Sequence, residues 1–296
     1  MIKTELYLKM QRLAFETAQY TASKMTVGMS EIDAAQMMSD YLREKGVSHY
    51  FHYPFAWFGE RTAFINFQKP LSFLDSKKSF WPSLKSFSWQ NILPHFGSEF
   101  MPKNIKLKKD TAVILDLAPA VDGIFVDIGF SFFFGECPLE YTRALATLLK
   151  TRELIPQIIN QGATNHQLYI QVEELFKENG FSNRHSLYPL GVLGHRVGEL
   201  PLFSLPKNKV MGFDLSAFLY ILKQELPFAT PTLTTPFLRE GIHLPIGDGL
   251  WAVEPHLGNH LWGAKFEEIL IVKEGKAHWL DSTAPTFLQT NTNSTN

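Results

Sequence analysis

Four acidic residues of this chain lie in stretches that are otherwise as apolar as a buried β-strand. Asp116 and Asp127 each follow three consecutive apolar residues, and Glu254 and Glu267 have similarly apolar neighbours further along the chain. An ionised carboxylate is costly to bury unless an opposite charge, backbone donors or a metal ion lies close to it. The chain must therefore fold so that these acids meet compensating partners.

The first two acids lie at opposite ends of a predicted β-hairpin turn, 11 positions apart. Residues 111–117 and 123–134 are rich in β-branched and aromatic side chains, and a Pro-Ala-Val-Asp-Gly segment typical of a turn separates them. If the two strands pair, Asp116 and Asp127 converge at one end of the hairpin. Taken alone, either residue is explained more simply as an aspartate that caps a turn.

His195 adds a nitrogen ligand to these oxygens. It lies between Gly194 and Gly198, and we expect these glycines to let the backbone approach a ligand closely. A single histidine among apolar residues is more often a hydrogen-bonded core side chain, but four acids and one histidine suit two divalent ions. Cys137 is the only cysteine, which excludes both an intrachain disulfide and a zinc-finger type of thiolate site.

Helical periodicity predicts two helices at the start of the chain, separated by a break at Gly28. Ser30 followed by Asp33 is a capping signature, which predicts Ser30 as the N-cap of the second helix. Two more helices are predicted over 141–160 and 166–179. Strand-like runs follow later in the chain, around Glu254 and Glu267.

The remaining segments suggest one domain with two insertions. We predict a single domain over 1–284, with insertions near 68–89, which is rich in Phe, Trp, Ser and Lys, and 200–246, which is rich in proline. Residues 285–296 are mostly Thr, Asn and Ser, so we expect a disordered tail there.

Overall charge excludes some classes of partner. The 28 Lys and Arg residues nearly balance the 29 Asp and Glu residues, so the net charge of -1 offers no footprint for nucleic acid or an anionic membrane surface. No uncharged apolar run reaches the length of roughly 20 residues that crosses a membrane. We expect a soluble, cytoplasmic protein with neither a nucleic acid nor a membrane as partner.

The order and local context of the ligand-type residues resemble the creatinase and methionine aminopeptidase (M24-type) metallopeptidases. The resemblance rests on Asp116, Asp127, Gly194-His195, Glu254-Pro255 and Phe266-Glu267-Glu268. The stretch 25–31 is similar to the turn between that family's first two helices, and Pro94-His95 resembles a phrase of its Xaa-Pro peptidase branch. The resemblance implies an α+β pita-bread fold, in which helices cover a curved antiparallel sheet within a pseudo-twofold catalytic domain.

The same resemblance implies a role for each ligand. Asp116 binds one metal ion, His195 and Glu254 bind the other, and Asp127 and Glu267 bridge the two. The expected cofactors are two divalent metal ions, with Mn, Co, Fe and Zn all compatible with the ligands.

The implied activity is that of a metallo-aminopeptidase of the Xaa-Pro or methionine type. Such an enzyme removes N-terminal residues from peptides through a hydroxide that the two metals generate. Glu254 is implied as the general base and His95 as a residue that binds or polarises the substrate. The expected partner is a peptide substrate, and the formation of a homodimer is an open alternative.

The sequence also departs from the family pattern. Active members usually carry a second histidine several residues beyond the ligand, where this chain has none, and His243 is the candidate substitute. Phe130 stands where the Xaa-Pro branch commonly has arginine. Two alternatives therefore stay open, namely a catalytically weak or inactive pita-bread binding protein and a creatinase-type hydrolase of small-molecule C–N bonds.

Overall fold

A computed structural model of the chain describes residues 4–65, 99–188, 191–200, 212–213, 217, 220 and 236–288. The predicted insertion near 68–89 and the predicted substrate residue His95 lie outside the described residues. So does most of the predicted insertion near 200–246, although its end contributes a strand to a sheet.

Four helices are described, in two consecutive pairs, as the sequence predicts. They are α1 (Thr4–Lys24), α2 (Glu31–Glu44), α3 (Leu139–Asn160) and α4 (Asn165–Glu178). The predicted N-cap is confirmed, because the Ser30 hydroxyl accepts from the Asp33 amide and the Asp33 carboxylate accepts from the Ser30 amide. None of the four helices is long and apolar enough to cross a membrane.

Each helix pair is followed by short β-strands. In chain order they are β1 (His49–Tyr50), β2 (Phe55–Phe58), β3 (Thr111–Leu117), β4 (Pro119–Val121), β5 (Ile124–Phe125), β6 (Ile128–Phe134), β7 (Ser182–Asn183), β8 (Val192–Val197), β9 (Phe237–Arg239), β10 (Gly249–Val253), β11 (His256–Gly258), β12 (Gly263–Lys265), β13 (Glu268–Lys273) and β14 (Lys276–Trp279).

The strands form antiparallel sheets, and two of these matter most for the site. One has the order β2-β3-β6 and contains the predicted hairpin, with Asp116 of β3 opposite Gly129 of β6. The other has five strands in the order β14-β13-β10-β8-β9. A bridge between Gly129 and Glu267 connects the two sheets, since the amide of each residue donates to the carbonyl of the other at 3.3 and 3.2 Å.

One hydrophobic core joins the four helices to both sheets. It includes a fully buried residue from each helix and the indole of β10: Ala14, Met38, Leu148, Val172 and Trp251. Apolar stripes of the helices thus cover the sheets on the side of this core. The acids of the site lie where the two sheets meet.

The chain remains packed beyond the predicted start of its tail. Residues Thr286–Leu288 form a 3-10 turn in which Phe287 and Leu288 are buried, and the Phe287 ring packs on Phe130 at 4.7 Å between centroids. Two apolar side chains at the start of the predicted tail, 285–296, thus pack on the core, and disorder of the tail stays a prediction. Residues 289–296 lie outside the described part of the chain.

Candidate metal centre

The structure brings the five predicted ligands into one buried cluster. Asp116 lies near the end of β3, and Asp127 immediately precedes β6. His195 lies within β8, Glu254 directly follows β10, and Glu267 directly precedes β13. All four acids are buried, with at most 8% of any residue exposed.

A buried lysine lies among these acids. The Lys265 ammonium is 2.7 Å from Asp116 Oδ2, 3.0 Å from Glu254 Oε2 and 2.9 Å from Glu267 Oε2. Burial alone lowers the pKa of Lys265, but Asp116 and Glu267 outweigh this and raise it well above its ordinary value. Lys265 is therefore a fixed cation that holds one oxygen of each of three acids.

Strand β6 is shaped to hold this lysine. A Cβ at Gly129 would lie 2.5 Å from Lys265 Cε, so only glycine leaves room for the side chain to pass. Two positions further along β6, the Ser131 hydroxyl donates to the Lys265 carbonyl at 2.6 Å and accepts from the Lys265 amide at 2.9 Å. The position of the ammonium thus follows from backbone geometry as well as from charge.

Two histidines face the remaining carboxylate oxygens. His52 Nε2 is 3.1 Å from both Asp116 Oδ1 and Asp127 Oδ1. His195 Nε2 is 3.3 Å from Asp127 Oδ2 and 3.8 Å from Glu267 Oε1. Asp127 therefore presents one oxygen to each imidazole and occupies the middle of the cluster.

The proximity of these charged groups shifts their pKa values. Burial alone lowers the pKa of His52 and His195, but the adjacent carboxylates raise both above the ordinary value. Burial alone raises the pKa of Asp127, but the charge of His52 and the hydrogen bond from His195 lower it. Burial, reinforced by neighbouring acids, raises the pKa of Glu267 well above its usual range. Opposite shifts within one cluster are typical of functional sites.

The donor atoms fit divalent metal ions. Ligand atoms of His52, Asp116 and Asp127 lie within 4.8 Å of one another, as do those of Asp127, His195 and Glu267. Asp116 Oδ1 is buried and receives no hydrogen bond from the described residues. Carboxylate oxygens with imidazole nitrogens suit borderline divalent ions. Two overlapping groups that share Asp127 are the arrangement that a bridging carboxylate needs.

Charge also favours added cations. Four carboxylates and one lysine sum to -3 when both imidazoles are neutral (-4 from Asp116, Asp127, Glu254 and Glu267, +1 from Lys265). Such an excess is expensive in a buried site. Lys265 alone therefore does not neutralise the cluster. In the metal-free chain, protons on His52, His195 and Glu267, whose pKa values are all raised, offset the rest, and divalent ions would replace those protons.

Sequence analysis missed two residues of this cluster, His52 and Lys265. His52 is the only strongly polar side chain in the aromatic run from Tyr50 to Tyr53, which was the available signal. Lys265 is two positions before Glu267, a spacing that puts both side chains on one face of an extended chain. A lysine at the end of a strand is usually solvent-exposed, so the sequence alone does not indicate that Lys265 is buried.

Three sequence-based expectations around His195 need correction. Gly194 makes room for the Ala252 carbonyl of the neighbouring strand rather than for a ligand, and Gly198 faces the Tyr220 ring. The candidate substitute histidine, His243, is exposed and packs against His166 at 4.6 Å between ring centroids, at the start of α4. It belongs to that surface contact instead of the site.

Solved structures of peptidases resemble this chain over almost its whole length. An X-Pro aminopeptidase from Thermotoga maritima superposes with a TM-score of 0.62 at 16% identity, covering 95% of this chain and 61% of that one. A prolidase from Pyrococcus furiosus gives 0.59 at 15% identity, covering 95% and 63%. This chain thus spans less than two thirds of those two proteins.

A methionine aminopeptidase from Rickettsia prowazekii is closer in length. It gives a TM-score of 0.57 at 12% identity, and the match covers 93% of this chain and 96% of that one. These similarities confirm the expected pita-bread fold. No curated protein sequence matches the chain.

The family itself is established by sequence. The model of metallopeptidase family M24 matches residues 5–274, which includes every residue of the cluster described above. The resemblance found in the order of the ligand-type residues is thereby confirmed. The chain belongs to metallopeptidase family M24.

Proposed function

We propose that this chain is a metal-dependent aminopeptidase that removes residues from the N-termini of peptides. In this proposal two divalent ions are held by Asp116, Asp127, His195, Glu254 and Glu267. Two divalent ions held there would supply Lewis acidity for hydrolysis of the scissile peptide bond.

The observation that carries the proposal is the central position of Asp127. Its two oxygens face His52 on one side and His195 on the other, at 3.1 and 3.3 Å. A carboxylate whose two oxygens serve two ligand groups is the element that holds a pair of ions at a short separation.

The remaining residues position this pair and the substrate. Lys265 fixes Glu254 through Oε2, which keeps that carboxylate beside the centre, where a general base for water is required. Burial raises the pKa of Glu254, and a higher pKa makes it a stronger proton acceptor. In this proposal His95 binds or polarises the substrate.

Between the two peptidase types, the Xaa-Pro type is preferred. The Pro94-His95 phrase supports it, as do the X-Pro aminopeptidase and prolidase among the similar structures. The length match to a methionine aminopeptidase supports the other type. The substrate panel must therefore include both.

The test uses purified chain stripped of metal and reconstituted with Mn, Co, Fe or Zn. It is offered peptides that carry Met or another residue in the first position, each with and without Pro in the second. We expect release of the first residue from the Pro-containing peptides, abolished by a chelator and restored by metal. Two bound ions per chain without trimming of any peptide would overturn the aminopeptidase assignment.

A second candidate is a non-catalytic binding protein. The observation that favours it is the position of the Lys265 ammonium. Its ammonium already satisfies one oxygen of Asp116, Glu254 and Glu267 without a metal. This candidate predicts that the purified chain is folded and holds less than one divalent ion. The two overlapping groups of ligand atoms that share Asp127 favour the metalloenzyme.

A further inference from the structure

His52 and His195 are held in the same way. His52 Nδ1 is 2.8 Å from the carbonyl of the next residue, Tyr53, and His195 Nδ1 is 3.1 Å from the carbonyl of the next residue, Arg196. A carbonyl oxygen only accepts hydrogen bonds, so Nδ1 carries the proton in both rings. When a metal ion replaces the proton on Nε2, the ring has the tautomer that metal-binding histidines adopt, with Nδ1 donating to a carbonyl and Nε2 free to bind the ion.

Both Nε2 atoms face carboxylate oxygens rather than donors. For His52 these are Asp116 Oδ1 and Asp127 Oδ1, each at 3.1 Å. In the metal-free chain a proton on Nε2 links the ring to these oxygens, and a metal ion at the same place would bind all three atoms. Atoms bound to one ion at about 2.1 Å are separated by roughly 3 to 3.5 Å, which matches the observed spacing.

The His52 side chain is fixed in this orientation. Its ring stacks on Phe55, with centroids 4.7 Å apart and planes 1° from parallel, and it is buried. The facing atom, Asp116 Oδ1, is buried and has no hydrogen bond from the described residues. A rigid imidazole and an unsatisfied carboxylate oxygen thus point at the same place.

We propose that His52 is a metal ligand, which with Asp116 and Asp127 forms one half of the metal centre. The other half then contains His195, Asp127 and Glu267, so that each ion has one imidazole. This proposal deepens the proposed function and rests on its metal centre. Because imidazole favours borderline over hard ions, we expect the His52 half to select Zn or Co over Mg.

The test compares three glutamine variants by calorimetric titration with Zn and by metal analysis after dialysis. His49 is exposed and lies three positions before His52, so His49→Gln is the matched control. We expect two ions in the wild type and in His49→Gln. We expect His52→Gln and His195→Gln each to bind one of the two ions more than about a hundredfold more weakly.

A second measurement needs no variant that could fail to fold. The wild-type chain, labelled with 15N at histidine, is loaded with 113Cd, and scalar coupling between cadmium and the ring nitrogens is recorded. Coupling to Nε2 of His52 as well as His195 supports the proposal. Coupling at His195 without coupling at His52, or two full-strength sites in His52→Gln, would overturn it.

The outcomes also separate this proposal from the proposed function. Metal coordination by His52 in a protein that trims no peptide would overturn the aminopeptidase and leave the ligand assignment standing. Peptide trimming by a chain in which His52 binds no metal would support the aminopeptidase and overturn the ligand assignment. A wild-type chain that binds no divalent ion would overturn both.

Discussion

At the scale of single residues, the site consists of one fixed cation, four acids and two histidines. Lys265 is the only one of these groups that carries a permanent positive charge, and it reaches three of the acids. A buried cation of this kind stabilises the chain before metal binds. It also sets the orientation of the carboxylates, because each contact fixes one oxygen and turns the other away.

Replacing Lys265 with methionine is expected to destabilise the metal-free chain. The change keeps the unbranched stem of the side chain but leaves three buried carboxylates without their cation, at a cost of about 3–5 kcal/mol. Divalent metal should recover more stability in Lys265→Met than in the wild type. Urea unfolding with chelator and with Mn measures both effects, and exposed Lys273→Met in β13 is the control. Equal stability of the two metal-free variants would contradict this role.

Replacing Asp127 with asparagine is expected to abolish binding of both ions of the proposed metal centre. Asp127 serves both ligand groups, and an amide offers one weak oxygen where the carboxylate offers two charged ones. Metal analysis after dialysis should show less than one ion per chain. Asp122 is exposed in the preceding turn at a φ of 51°, which asparagine tolerates, so Asp122→Asn is the matched control. Full occupancy in Asp127→Asn would refute the shared ligand.

Sequence reasoning found the acids and missed their cation for a physical reason. Asp116 and Asp127 are close in sequence, and their apolar neighbours signalled burial locally. Lys265 and Asp116 are 149 positions apart and meet only because the Gly129–Glu267 bridge joins two sheets. No local pattern encodes such a contact, so only the tertiary structure revealed it.

At the scale of elements, Glu31 connects helix α2 to the first sheet. This fully buried carboxylate accepts from the Phe58 amide, the Arg61 guanidinium and the Lys103 amide, each at 2.9 Å. Burial raises the pKa of Glu31, while the Arg61 charge and the backbone donors oppose this. As the first residue of α2, Glu31 also interacts favourably with the helix dipole.

The Glu31→Gln variant is expected to lose about 3 kcal/mol of unfolding free energy, because the buried carboxylate that faces the Arg61 guanidinium at 2.9 Å becomes a neutral amide. Faster amide exchange at the start of α2 and around Phe58 should accompany the loss. Glu60 is exposed in the same 3-10 turn as Arg61, so Glu60→Gln should leave both measurements unchanged. If the two variants behave alike, Glu31 does not hold these elements together.

The elements themselves were largely predictable from sequence. All four helices carried amphipathic periodicity, and Ser30 with Asp33 encoded the start of α2 locally. The predicted run 123–134 is divided into β5 and β6, since Asp127 turns out of the strand towards the site. The strand within the proline-rich segment, β9, was missed because its pairing with β8 is a tertiary contact.

At the scale of the whole molecule, buried histidines make stability depend on pH. Burial lowers the pKa of His185 to about 3, from an ordinary value near 6.5. Its Nδ1 accepts weakly from the His256 amide at 3.4 Å, while its Nε2 is buried without a hydrogen bond from the described residues. The folded chain therefore keeps this ring neutral where the unfolded chain would protonate it.

The sign of the effect follows from proton binding. Between pH 6.5 and 3 the unfolded chain binds one more proton at His185 than the folded chain, so stability is present above pH 6.5 and is lost as pH falls. From pH 7 to 4.5 the loss is about 2 kcal/mol. We expect His185→Asn, which keeps an acceptor near Nδ1, to be less stable at pH 7 but to show a flatter dependence in denaturant titrations across that range.

The control for this dependence is His278→Asn, a replacement of an exposed histidine in β14. It should retain the wild-type slope of stability against pH. A slope in His185→Asn as steep as that of the wild type would assign the acid sensitivity to other groups.

The close approach of Gly129 to Lys265 also constrains how this site can change during evolution. Any side chain at 129 collides with the lysine stem, and any shorter residue at 265 leaves three acids without their cation. Neither position can drift alone, so we expect the two to covary among relatives. A homologue with alanine or a larger residue at the position of Gly129 should carry a small or uncharged residue at the position of Lys265. We expect such a homologue to depend on bound metal to fold.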